Sequence, residues 1–96
     1  MNAGERLKKA AETYAERNKV YGNTYKRHGQ VAAALFPNGV TLKTPEDHNR
    51  FGVMTLIIGK LTRYCTNFEV GGHADSVHDL GVYAFMLEEL DAKQKK

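Results

Sequence analysis

A single cysteine, Cys65, stands among the 96 residues, so no internal disulfide can form and the fold must hold by packing alone. That scarcity fits a reducing cytoplasm, the compartment expected for this chain. No apolar run approaches the ~20 residues that a membrane-spanning helix needs, so no membrane partner is expected. The opening residues MNAGERLKKAAE lack the apolar middle of a secretion signal. Neither zinc-finger spacing nor an RNA-recognition motif occurs, although pattern alone leaves a helix-turn-helix open. The net charge of +3 comes partly from the N-terminal helix and partly from Lys93, Lys95 and Lys96, which reads as a solvated surface rather than a nucleic-acid face. No internal repeat and no low-complexity segment interrupts the chain.

Apolar residues make up 42% and charged residues 26%, the balance of a globular domain. The length fits one domain, residues 1–96, with a modest core: a chain this short buries only about 60–65% of what it exposes unfolded. Oligomerisation would add burial that the single chain lacks.

Periodicity predicts four helices and an all-α class, most simply a compact four-helix unit. The first spans 4–18, with Leu7, Ala11 and Tyr14 on one side. Tyr21-Gly22-Asn23 breaks it, and Asn23 or Thr24 can cap the second helix. That helix, 24–36, carries Val31, Ala32, Leu35 and Phe36 and stops at Pro37-Asn38-Gly39. Residues 40–43 connect, with room for a very short strand. Thr44-Pro45-Glu46-Asp47 is the clearest start signal: a capping threonine, a proline at the first helical position and two acids for the helix dipole. The third helix, 45–68, has a wide apolar face of Phe51, Met54, Ile57, Ile58, Leu61, Tyr64, Cys65 and Phe68. Thr55, Gly59, Thr62 and Thr66 read as its outer side. Gly71-Gly72 is a hinge, and the fourth helix runs over 73–92 before a frayed lysine-rich tail, 93–96.

Four charges sit in this apolar half. Lys60 and Arg63 lie at the edge of the third helix's core face, at ~100° per residue. The fourth helix is apolar on two sides. Val77, Leu80, Gly81, Ala84 and Leu87 form one; Val82, Tyr83, Met86 and Leu90 form the other, continued by Asp75 and Asp79. A helix apolar on two sides is sandwiched, within the chain or across an oligomer interface. Carboxylates at such a boundary need partners. In an antiparallel hairpin, Arg63 and Lys60 are the expected partners for Asp79 and Asp75. The cluster reads either as a salt-bridge network closing the hairpin or as an anion site in which Lys60 and Arg63 take phosphate oxygens. An arginine fork suits the latter, and the Gly-Gly turn with the N-terminus of the fourth helix could add backbone donors, but the spacing by itself does not decide between the two.

The ordered set Arg17…Tyr21-Gly22, Lys60-x-x-Arg63 and His73-x-Asp75-Ser76-x-x-Asp79-x-x-x-Tyr83 resembles a small family of phage and prophage proteins, from about residue 17 to residue 90. More remotely, the layout is similar to the all-α nucleoside triphosphate pyrophosphohydrolases, the MazG-like group. Those hold magnesium with an E-x-x-E pair on one helix and an E-x-x-D pair on the next, and the metal activates water against an α–β phosphate bond. Here Lys60 and Arg63 stand where the first acids would be, and Asp75 and Asp79 are spaced four apart, not three. Cations beside the aspartates compete for them and make a poor magnesium site. The resemblance implies a MazG-like fold and a nucleotide-like ligand on Lys60, Arg63, Asp75 and Asp79, with Tyr21 or Tyr83 near a base. No metal cofactor is expected; Mg²⁺ would enter only in an enzyme, on Asp75 and Asp79.

Other residues carry less. His73, His78, His48 and His28 are metal-ligand types, and His78-Asp79 resembles the HD phosphohydrolase dipeptide, but the remaining ligands of such a site are missing. His28 reads as a core-edge histidine and Cys65 as a packing residue. Tyr14, Tyr25 and Tyr64 could stack a base but read first as amphipathic packing with the hydroxyl at the rim. The expectation is a self-associating dimer or tetramer that binds a nucleotide or another phosphate-bearing small molecule, encoded by a phage and working in the host cytoplasm. The alternatives are a helical module that engages a host protein, and a metal-dependent pyrophosphohydrolase drawing its missing acids from Glu46, Asp47 or another subunit.

Overall fold

The computed structural model describes residues 1–93, and of Val20, Tyr21 and Thr24 the backbone only. The tail expected at 93–96 thus falls outside the described residues, Lys93 apart. Four α-helices are present: α1 Ala3–Tyr21, α2 Thr24–Leu35, α3 Pro45–Thr66 and α4 Ala74–Ala92, with one 3-10 turn, Phe68–Val70, between the last two. The described residues contain no strand, so 40–43 is plain loop. Among them, no helix is long and apolar enough to cross a membrane.

The helix ends follow local chemistry. Asn2 caps α1 by accepting the Glu5 N–H at 2.9 Å. The helix outruns its expected end because nothing after Asn18 breaks it until Gly22, whose φ is +61°. At α2, Asn23 makes no side-chain cap bond. At α3 the start signal is complete. Thr44 Oγ1 accepts the Asp47 N–H at 3.1 Å, and Asp47 Oδ2 accepts the backbone N–H groups of Lys43 at 3.0 Å and Thr44 at 3.3 Å. Helix α3 stops two residues before the expected position 68. The Asn67 side chain folds back onto the Arg63 carbonyl at 2.9 Å, and the 3-10 turn leads into Gly71 and Gly72, with φ of +100° and +84°. At Gly72 a Cβ would come 2.6 Å from the Tyr64 ring, so only glycine lets the turn press onto that ring.

Helix α3 is the element against which α1, α2 and α4 each pack, most extensively α4. The α3–α4 hairpin is antiparallel: Arg50 near the start of α3 bonds Asp91 near the end of α4 at 2.8 Å. Ser76, only 1% exposed, lets the start of α4 approach closely, and its hydroxyl meets His73 Nδ1 at 2.7 Å.

The opposite side of α3 corrects the sequence reading. Thr62, expected on the outer side, is buried, and Thr66 meets the α1–α2 corner. The cause is hydroxyl satisfaction within the helix. Thr62 Oγ1 donates to the Ile58 or Gly59 carbonyl, both at 3.0 Å, and Thr66 Oγ1 to the Thr62 carbonyl at 3.0 Å. With its polar atom spent, a threonine behaves as a small apolar residue. Arg27 of α2 then reaches across to Thr66 Oγ1 at 2.7 Å.

The expected compactness is also corrected. The radius of gyration is 16.6 Å, against about 12.5 Å for a compact chain of this length. Among the described apolar side chains only Ile58 is fully buried, and Leu61, Cys65 and Phe68 of the expected core face are exposed. Cover on that face is confined to its first half, where Phe36 packs on Phe51 at 5.9 Å and Met54 and Ile57 are half-buried.

Replacing Thr44 with alanine removes the α3 cap and is expected to cost about 1 kcal/mol of stability, read as a lower denaturant midpoint at unchanged m-value. Asp47 adds a pH signature. The Lys43 N–H first, then the Thr44 donors and Arg50, hold its carboxyl below the usual aspartate value. Its contribution is therefore whole above the unfolded pKa of about 3.9 and is lost as pH falls through the lower folded value. Chemical unfolding between pH 6 and pH 2.5 should show an acid-side decline that is shallower in Asp47→Asn.

Candidate functional site

The four charges of the hairpin do not form one cluster. Lys60 Nζ lies 3.2 Å from Asp79 Oδ2 and closes a bridge between α3 and α4. Antiparallel register explains why Lys60 takes Asp79 rather than Asp75: both stand the farther from the turn. With the Asp79 side chain 42% exposed, this pair is worth at most about 1 kcal/mol. Asp75 is exposed and makes no ion pair among the described residues. Tyr83 is half-buried, and the Tyr21 side chain lies outside the described residues.

Arg63 takes a different direction. It lines a recess of about 420 Å³ between α3 and the α1–α2 corner, together with Arg17, Asn18, Gly22, Tyr14 and Tyr25. Two arginines, 46 positions apart in sequence, thus border one concavity. Asn18 Oδ1 is buried there with no hydrogen-bond donor among the described residues. A buried acceptor without a donor is costly and calls for a partner.

One wall of the recess is aromatic. The Tyr14 and Tyr25 hydroxyls stand 3.3 Å apart, and Lys26 Nζ lies 5.6 Å from the centre of the Tyr25 ring. Their shared hydrogen bond divides the two phenols: it raises Tyr14 above the ordinary value and lowers Tyr25 below it, with nearby Lys26 adding to the lowering. The pair leaves two large ring faces exposed beside the arginines. Sequence reasoning assigned both tyrosines to packing and left Arg17, Asn18 and Gly22 out of the site. The signal was available in Arg17…Tyr21-Gly22, whose glycine lets the α1–α2 corner fold down beside Arg63.

Among the described residues no group of three or more histidine, cysteine, aspartate or glutamate side chains is placed to hold a metal ion. His48 and His78 are exposed, His28 is half-buried, and His73 faces Ser76. Asp79 is engaged by Lys60, and no third ligand side chain joins Asp75 and Asp79 among the described residues, so these residues do not fit the magnesium centre that MazG-like ancestry would imply. Glu46 and Asp47 lie at the far end of the hairpin, Asp47 committed to the α3 cap. Compared with known proteins, the chain matches no family model, no curated protein and no solved structure.

The corner depends on Gly22. Its backbone, at φ +61° and ψ −148°, lies where glycine alone is comfortable, and a Cβ would sit 2.9 Å from Thr66 Cγ2. Gly22→Ala should destabilise the fold by about 1–3 kcal/mol. Adding Thr66→Ser, which removes the crowding methyl and leaves the backbone strain, should restore part of the loss in chemical denaturation.

Proposed function

We propose that this chain is a nucleotide-binding protein of the phage type, with MazG-like ancestry, and that its ligand sits in the recess bordered by Arg17 and Arg63. The convergence of those two arginines carries the reading. Like charges facing one concavity repel each other, and an anion between them reverses the sign of that interaction. Guanidinium groups suit phosphate oxygens because each offers parallel donors.

The remaining lining favours a nucleotide over inorganic phosphate. Tyr14 and Tyr25 offer ring faces for a base. Lys60 plays a supporting part here: its bond to Asp79 fixes the α3–α4 hairpin from which Arg63 projects. Binding rather than hydrolysis is the reading, because the carboxylates that would hold a catalytic metal are spent or apart. Self-association and work in the host cytoplasm belong to the same proposal.

Thermal-shift titration with nucleoside mono-, di- and triphosphates, with and without Mg²⁺, tests it, since a ligand at a hundred times its Kd stabilises by about 2.7 kcal/mol. Arg17→Ala and Arg63→Ala should each weaken binding roughly 10- to 100-fold, the worth of a charged hydrogen bond of about 1.5–3 kcal/mol. Lys60→Ala should change it less than either. No shift with any nucleotide, or a loss in Lys60→Ala larger than in Arg63→Ala, would overturn the assignment.

A further inference from the structure

Helix α4 leaves an apolar side open to solvent. The segment from Leu80 to Leu87 carries no charged residue on any side of the helix. A helix apolar all round is stable only when it is covered all round. Here Leu80, Tyr83 and Leu87 are half-buried, while Val77, Val82, Phe85 and Met86 are exposed, Phe85 at 73%.

The missing cover can be sized. The chain exposes 7407 Å², whereas a compact monomer of 10.7 kDa exposes about 5,500 Å². The excess of about 1,900 Å² is spread over the chain, the exposed α1 included, and the share on α4 need be less than half of it to meet the ~800 Å² that each partner gives to a standard stable interface. A small domain that buries one apolar side chain is short of core by about what a partner supplies.

The face is self-complementary. Gly81 and Phe85 lie one turn apart on it, equally far from Tyr83. When two copies of α4 cross antiparallel about Tyr83, Phe85 of each lies over Gly81 of the partner subunit, where a Cβ would meet nothing within 4 Å in the single chain. Such a two-fold, isologous contact is the commonest way that identical chains associate. The same alignment brings His78 beside Glu88 of the partner subunit, a complementary pair at the rim. We infer that the outer face of α4 is the dimer interface of this protein and that its occupant is a second copy of the chain.

Sedimentation equilibrium of the full chain, from micromolar to submillimolar concentration, should give twice the monomer mass; if the mass is fourfold, the α4 variant should halve it. Gly81→Leu fills the hole and should weaken association at least tenfold, with helicity kept in circular dichroism. Leu7→Glu, on the exposed side of α1, should leave association unchanged. Hydroxyl-radical footprinting of the unaltered chain gives a reading independent of any variant's folding: Phe85 and Met86 should be protected when concentrated and oxidised on dilution. A monomeric mass throughout, an unaffected Gly81→Leu, dissociation caused equally by Leu7→Glu, or Phe85 oxidised at every concentration would each overturn the inference.

Discussion

The architecture depends on how closely the α1–α2 corner can approach α3. Three features set that distance. Gly22 has no side chain, Thr66 turns a methyl toward it, and the hydroxyls of Thr62 and Thr66 bond to their own helix's carbonyls. Without that internal satisfaction, the buried Thr62 would be a penalty of about 1–3 kcal/mol rather than a packing surface. The corner brings α1 and α2 to the flank of α3 that α4 does not use, which is why α3 touches every other helix.

The same geometry separates charges that are neighbours in sequence. Lys60 and Arg63 are three residues apart, but they serve different interfaces. Lys60 faces α4 and is closed by Asp79. Arg63 faces the corner and shares a recess with Arg17. An ion pair between half-exposed groups adds little stability but fixes register. An arginine beside another arginine is a like-charge neighbour, which an anion in the proposed site would offset. Two residues that a helical wheel treats as one stripe thus face different interfaces.

Local signals were legible in the sequence, and non-local ones were not. The α3 capping box and the glycine stops are written in three or four adjacent residues, and they stand where those residues say. The all-α class follows from the same periodicity. The side of α3 that packs against the corner was hidden because threonine is polar by composition and apolar by behaviour once Ile58, Gly59 and Thr62 carbonyls take its hydrogen bonds. The pairing of Arg63 with Arg17 was hidden because it requires the α1–α2 corner to fold back over 46 positions. The compact unit expected from the apolar content fails for a related reason: composition counts apolar residues but not whether this chain or another one covers them.

That last distinction bears on how α1 is held. Nearly every residue of α1 is exposed, and its contact with the rest of the chain falls on α3 alone among the larger packing interfaces. A helix of 19 residues with so little tertiary burial has only marginal stability from propensity. Yet α1 supplies Arg17, Asn18 and Tyr14 to the recess. Its position and the shape of the recess are therefore linked: a molecule that bridged Arg17 to Arg63, as proposed, would also dock α1 onto α3. By reciprocity, whatever docks α1 prepares the recess.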